Sequence, residues 1–200
     1  MAVKRVENFG KPKFKLSEPV SSQIYDFFED YFPAEIERRM RDLNQTYPLK
    51  GLKVEIGRCE ITKGQWLLYT TVCLNGQITN GGLVQFFENC PGLVKDALAL
   101  LQEWADPEFA AAYEKAAKPL LGLIEKHAKK YPDAQGVDLT VFWEEFEIAL
   151  DSIADEDVSA IETSCYSFDR ETNNKNWFNA QDIKVLTFVK ENPKDFAKIQ

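Results

Sequence analysis

The most specific local signal in this sequence is the stretch Gln77-Ile-Thr-Asn-Gly-Gly-Leu-Val-Gln-Phe-Phe-Glu-Asn-Cys-Pro-Gly92. Its composition predicts a turn over residues 80–82 and then an aromatic-rich helix, which Pro91 and Gly92 close. Glycine permits backbone dihedrals and close approaches that other residues do not, so a glycine pair at the start of an apolar helix predicts tight packing. The stretch therefore predicts architecture, and it carries no catalytic signature of its own.

Residue spacing within this stretch separates one polar stripe from apolar surroundings. Gly81 or Gly82, Gln85 and Asn89 recur three and four residues apart and fall on one side of a helix. The other faces carry Leu83, Val84, Phe86 and Phe87. We expect a widely buried helix with one small polar seam. Its amides could bind a ligand, although buried amides more often satisfy neighbouring groups.

Patterns along the rest of the chain predict an all-α fold, a multi-helix bundle in which residues 17–200 form one helical domain. Helical patterns occur over 17–32, 33–46, 62–75, 93–104, 106–130, 139–155, 155–168, 180–189 and 193–199. Pro119 removes a backbone donor and is expected to kink or divide its helix. Residues 51–61 alternate apolar and polar side chains, which predicts a short irregular or extended segment.

Composition predicts a cytoplasmic protein without a membrane span. The 200 residues are 44% hydrophobic, enough for one core. No run approaches the roughly 20 apolar residues that a span requires. Residues 1–16 contain five Lys or Arg and one acid, which predicts a flexible basic arm that is solvated, binds phosphate or meets an acidic surface. The four cysteines occur singly, which favours buried free thiols in a reducing compartment.

Charge is unevenly distributed along the chain. The net charge is −8, yet the segment between Lys130 and Arg170 contains 11 acids and no Lys or Arg, so the remainder has a surplus of three positive charges. Within this segment the helical period places several carboxylates on one side of a helix. We call the following six residues the acidic face: Glu144, Glu147, Asp151, Asp155, Glu156 and Asp157.

Such a face is either a solvated surface or a binding surface. Carboxylates spaced along a rigid helix imitate the charge of a nucleic-acid backbone and attract basic grooves that bind phosphate. The same charge repels nucleic acid itself. The predicted partner is therefore a protein with a basic surface.

Catalytic and metal-binding signals are sparse. His127 is the only histidine, and its place near a helix C-terminus beside three lysines predicts an exposed side chain. A nucleophile–base pair with Cys90 requires a contact that the sequence does not show. Glu144, Glu147 and Asp151 could hold a divalent cation, although a solvated face is favoured, and the cysteines are not clustered for zinc. We expect no metal and no cofactor.

Residues 74–92, between an apolar helix and an Ala/Leu-rich helix, resemble a bacterial domain family that includes a neisserial DNA mimic. The shared pattern is Asn-Gly-Gly-aromatic-x-Gln-aromatic-aromatic-x-Asn-x-x-Gly. In this sequence it is carried by Asn80, Gly81, Gly82, Gln85, Phe86, Phe87, Asn89 and Gly92. Leu83 stands where the family usually has an aromatic residue. The resemblance extends over about residues 62–130.

The resemblance implies an all-helical fold and, for the mimic itself, a dimer that occupies a transcription factor. Mimicry depends on surface carboxylates, so the motif alone does not transfer it. We carry forward an acidic protein-binding module, a DNA mimic that sequesters a DNA-binding protein. Two alternatives remain: an immunity-type protein that covers a basic toxin, and a small-molecule-binding protein or enzyme that uses the Gln85/Asn89 seam. A homodimer is also open.

Overall fold

The computed structural model describes residues 62–131, 138–166, 177–192 and 195, together with eight helical positions between residues 24 and 41. Its six long helices are α1 (Lys63–Asn89), α2 (Val94–Trp104), α3 (Pro107–Lys130), α4 (Thr140–Asp151), α5 (Asp155–Tyr166) and α6 (Trp177–Glu191). These described residues contain no strand, which confirms the all-α prediction. The predicted basic arm over 1–16 and the irregular segment near 51–61 lie outside them.

Buried apolar side chains from all six helices form one hydrophobic cluster. Helix α1 is central and contacts α2, α5 and α6, while α3 packs against α2, α4 and α5. The first part of α1 is buried on most sides, as its low charge predicts. The polar faces of the shorter helices remain on the outside.

Helix α1 begins with a capping box. The Gln65 backbone N–H donates to Thr62 Oγ1 over 3.1 Å, and Gln65 Oε1 accepts from the Thr62 backbone N–H over 3.0 Å. The sequence predicts an end of this helix near Asn75, and that prediction is wrong. The helix continues through Gly76, where a Cβ would lie 2.6 Å from Tyr25 Oη. Gly76 therefore allows close packing of a tyrosine instead of ending the helix.

The predicted turn at residues 80–82 is a kink inside α1. Gly81 has φ −158° and ψ 17°, and Gly82 has φ 91° and ψ 179°. The dihedrals of Gly82 lie in a region that is essentially restricted to glycine. We call residues 83–89, which follow the kink, the distal limb of α1.

Helix α3 begins where the sequence predicts. Asp106 Oδ1 accepts a 2.9 Å hydrogen bond from the Glu108 backbone N–H, and Pro107 occupies the first helical position. However, Pro119 does not divide the helix, which runs unbroken from Pro107 to Lys130. Burial of Ala116, Ala117 and Leu120 around the proline offsets the lost backbone hydrogen bond.

Two buried carboxylates join the helices of the core. Trp66 Nε1 donates to Asp96 Oδ1 over 2.6 Å and joins α1 to α2. Asn75 Nδ2 donates to Asp182 Oδ1 over 2.9 Å and joins α1 to α6. Both aspartates are 1% exposed. These contacts hold three helices in register because a buried polar group without its partner is costly.

Asp96→Ala is expected to lower the free energy of unfolding by about 2–3 kcal/mol, because it leaves the Trp66 indole N–H buried without its carboxylate acceptor. Urea unfolding followed by tryptophan fluorescence measures the change. The double variant Asp96→Ala/Trp66→Phe removes both partners, so its loss should be smaller than the sum of the two single losses. Strict additivity would contradict the assigned hydrogen bond.

Candidate functional site

The acidic face lies where α4 ends and α5 begins. Five of its residues are exposed and Asp157 is half-buried. Only residues 152–154 separate the two helices, and the Ser152 backbone N–H donates to the Ala149 carbonyl over 3.3 Å. This short connection brings the C-terminal carboxylates of α4 beside the N-terminal carboxylates of α5. Asp151 and Asp155 therefore lie at the two ends of this connection.

Cations from α3 neutralise part of this region. Lys115 Nζ lies 2.6 Å from Asp157 Oδ1, and Lys126 Nζ lies 2.8 Å from Glu145 Oε2. The charges within residues 131–169 give no sign of Lys115 and Lys126, because both lysines lie in α3, earlier in the chain. Within the described residues, Glu144, Glu147, Asp151 and Asp155 form no ion pair. Those four carboxylates carry the exposed negative charge of the acidic face together with Glu156, which is also exposed and has no ion pair within the described residues.

Apolar side chains lie among these carboxylates. Ile148 is 70% exposed and Val141 is 55% exposed, both on the outward side of α4. Ile148 follows Glu144 by four residues and precedes Asp151 by three, so the three side chains share one helical side. A single exposed isoleucine is ordinary. One that lies within an unpaired carboxylate row gives this side of α4 a mixed apolar and acidic character.

The prediction that His127 is exposed is wrong. The residue is 4% exposed, its Nε2 lies 2.8 Å from Glu145 Oε2, and its ring meets Phe142 edge-on with centroids 5.3 Å apart. Helix α4 covers this end of α3, which the sequence of α3 alone does not indicate. Hydrogen bonds from Lys126 and His127 hold the pKa of Glu145 below its usual value. Glu145 therefore fastens α4 to α3 as a charged group.

The polar seam of the motif is occupied by its own amides. Gln77 Oε1 accepts from Gln85 Nε2 over 2.7 Å and from Asn89 Nδ2 over 2.8 Å. Gln77 lies before the kink and the two donors lie after it, so the contacts bridge the kink. Gln85 is half-buried, whereas Asn80 and Asn89 are exposed. Both amides of the seam, Gln85 and Asn89, therefore hydrogen-bond within α1.

The aromatic and glycine residues of the motif are part of the core. Phe86 and Phe87 are fully buried, and both pack against Tyr113 of α3 with centroid distances of 6.5 and 5.8 Å. Gly92 is buried in the short turn Pro91–Leu93. These positions explain why the motif is specific in sequence: they hold the distal limb against α3.

Glu162 of α5 caps the distal limb. Its Oε1 accepts a 2.8 Å hydrogen bond from the Leu83 backbone N–H, the first donor after the kink. A Cβ on Gly82 would lie 2.2 Å from the same oxygen. Glycine at position 82 is thus required both by its dihedrals and by the approach of this carboxylate. The sequence offered no signal for Glu162, because the two residues are 79 positions apart.

Three of the four cysteines lie within the described residues. Cys73, Cys90 and Cys165 are free thiols; the predicted burial is confirmed for Cys90 and Cys165, whereas Cys73 is half-buried. Cys59 lies outside the described residues. Burial raises the pKa of the Cys165 thiol far above its usual range, which keeps it protonated. No described hydrogen bond joins Cys90 to His127, whose ring nitrogen Nε2 bonds to Glu145.

A groove of about 490 Å³ separates the distal limb of α1 from the corner between α4 and α5. Its apolar lining consists of the half-buried side chains Val84, Leu150, Ile153 and Val158. Its polar lining consists of the exposed side chains Glu88, Asp151, Asp155 and Ser159. Two of these are acidic-face residues, so the groove opens within that face. Gln85, Asn89, Cys90 and His127 are not among its lining residues.

The fold and this site define an all-α protein with a kinked central helix and an exposed carboxylate row beside a groove. The chain belongs to the DMP19-like protein family, whose model matches residues 59–182. The match confirms the resemblance inferred from the motif and extends beyond the expected core to include the acidic face. No curated protein and no solved structure matches the chain. Among the described helices, none has the length and apolar character needed to cross a membrane.

Proposed function

We propose that this protein is a cytoplasmic, non-enzymatic binding module that uses its acidic face to occupy the basic surface of a DNA-binding protein. Membership of the DMP19-like family supports a DNA-mimic type of module. The observation that carries the proposal is the set of five exposed carboxylates that form no ion pair within the described residues, namely Glu144, Glu147, Asp151, Asp155 and Glu156. They provide the negative charge that a phosphate-binding groove attracts.

The rigidity of the two helices supports mimicry over a purely solvated surface. A helix rises about 1.5 Å per residue, so Glu144 and Asp151 are about 10 Å apart along α4. Their helix is fastened to α3 through Glu145 and through the buried rings of Phe142 and Phe146. Fixed carboxylates present a defined charge pattern, whereas a mobile acidic segment presents only an average charge.

The interleaved apolar side chains support a protein as the partner. Ile148 and Val141 contribute nothing to solubility, and they would lose contact with water when a protein covers the face. Burial of an exposed isoleucine side chain contributes about 1.5–3 kcal/mol. A partner that combines basic and apolar side chains therefore fits the acidic face better than a uniformly charged one.

The test is a pull-down from the native cell extract at low and high salt. The variant Glu144→Gln/Glu147→Gln/Asp151→Asn/Asp155→Asn removes four charges and is expected to lose partner capture by roughly tenfold or more at low salt. A matched control, Glu29→Gln/Glu114→Gln/Glu125→Gln/Glu191→Gln, removes four exposed charges outside the face. The control should retain capture.

The captured proteins are then challenged with duplex DNA. Displacement of this protein by the duplex supports occupation of a DNA-binding surface, because one basic groove cannot hold both. Capture of a basic toxin that duplex DNA does not displace would favour the immunity-type alternative. Capture that is equal for the face variant and the control would reject a role of the acidic face.

A further inference from the structure

The groove beside the acidic face combines an apolar floor with an acidic rim. Four half-buried aliphatic side chains line it, and Glu88, Asp151 and Asp155 contribute three carboxylates. Its lining contains no Lys or Arg. Its volume of about 490 Å³ lies within the range of about 300–1,000 Å³ that small-molecule and side-chain binding sites occupy. The groove therefore suits an elongated cation with an apolar stem.

A metal ion does not fit this arrangement. The described residues contain no group of three or more His, Cys, Asp or Glu side chains close enough to hold one. The rim carboxylates come instead from three elements, namely the distal limb, the end of α4 and the start of α5. Carboxylates separated in this way can surround a larger organic cation whose charge is spread over several nitrogen atoms.

We propose that this groove is the socket for an arginine side chain of the protein partner. The proposal rests on the proposed function and specifies which partner group anchors the complex. The methylene stem of arginine would lie on Val84, Ile153 and Val158, as such stems do on apolar surfaces. Its planar guanidinium presents five N–H donors and matches carboxylate oxygens better than a lysine ammonium does.

The position of the groove gives the motif a role in binding. The distal limb, which carries Val84 and Glu88, is placed by the Gly82 kink and by the bond from Leu83 N–H to Glu162 Oε1. Helix α5, which carries Glu162, also carries Asp155, Val158 and Ser159 of the opposite wall. This hydrogen bond thus joins the two helices that form opposite walls of the groove.

A substitution that fills the groove tests the role of the groove independently of the charge of the acidic face. Ser159→Trp places an indole at the groove wall and leaves every carboxylate in place. Ala160→Trp is the matched control, because Ala160 is the next residue of α5, is exposed and does not line the groove. Each full-length variant is first checked for the native circular dichroism spectrum and unfolding midpoint. Both are then compared in the pull-down and in titrations with peptides.

The peptide probes are oligoarginine and oligolysine of equal length, titrated into the isotope-labelled full chain. Oligoarginine should bind about fivefold or more tightly than oligolysine. It should also shift the backbone amide signals of Val84, Val158 and Ser159. Ser159→Trp should abolish both the preference and these shifts, whereas Ala160→Trp should preserve them.

The outcomes distinguish a failure of the arginine socket from a failure of the proposed function. Loss of partner capture with Ser159→Trp but not with Ala160→Trp supports the socket. If the four-charge variant loses capture while Ser159→Trp retains it, the acidic face stands and the socket is rejected. Equal affinity for the two peptides, or shifts spread evenly over the acidic face, also overturns the socket. Unchanged capture in both the four-charge and the filling variants would overturn both proposals.

Discussion

Gly82→Ala is expected to destabilise the protein by about 3 kcal/mol or more, the largest effect of any single methyl addition that we anticipate. Gly82 has φ 91° and ψ 179°, dihedrals that cost a residue with a Cβ on the order of 1–3 kcal/mol. The added Cβ would also lie 2.2 Å from Glu162 Oε1. The carboxylate would have to move away from the Leu83 N–H that it now caps, which adds the loss of a charge-assisted hydrogen bond.

Urea unfolding of Gly82→Ala measures this loss, and two further variants identify its cause. Gly122→Ala adds the same methyl group in α3, where a Cβ meets nothing within 4 Å, so it should raise stability by about 0.5–1 kcal/mol. The pair Gly82→Ala/Glu162→Ala removes the clash and keeps the dihedral strain, so it should be more stable than the two single losses predict. A Gly82→Ala protein as stable as the wild type would refute the kink geometry.

Asp182→Asn is expected to stabilise the protein at pH 8 and to change little at pH 4. Burial raises the pKa of Asp182 from 3.8 to about 7, and the bond from Asn75 offsets only part of this rise. Between pH 3.8 and about pH 7, Asp182 is protonated in the folded protein and ionised in the unfolded chain. Stability therefore falls as the pH rises through this window, by an amount on the order of 4 kcal/mol, and the penalty persists above it.

An asparagine at position 182 is neutral at every pH and still offers an oxygen to Asn75 Nδ2. The difference in unfolding free energy between Asp182→Asn and the wild type should therefore grow from pH 4 to pH 7 and then level off. Urea titrations at four pH values measure it. Asp151→Asn, which removes an exposed carboxylate, should show no such growth. A difference that is flat with pH would show that Asp182 is ionised throughout this range.

The local signals of the sequence were sufficient for most of the helices. Asp106 and Pro107 begin α3 where their capping chemistry predicts, because both act on backbone groups within one turn. The glycine pair at 81–82 marks the kink for the same reason, since its dihedrals are intrinsic to glycine. The exposed carboxylates of α4 also follow from periodicity, because a helix with one apolar side must expose the other.

Local signals failed where a distant element decides the outcome. His127 looks like an exposed helix-end residue until α4 covers it with Phe142 and Glu145. Pro119 and Gly76 look like helix breakers, but packing on neighbouring side chains keeps both helices continuous. The packing energy of a helix is the sum of many contacts. It can exceed the unfavourable helix propensity of a single glycine or proline, which is about 1–3 kcal/mol.

The sequence by itself determined the helical class, the family motif and the excess of acids after Lys130. Only the tertiary structure decided which acids remain unpaired, because Lys115 and Lys126 reach Asp157 and Glu145 from another helix. It also decided that the distal limb of α1 lies beside the acidic face, since Val84 and Glu88 line the same groove as Asp151 and Asp155. Composition and helical periodicity can be read directly from the chain. The groove is formed by residues of separate helices, which come together only when the chain folds.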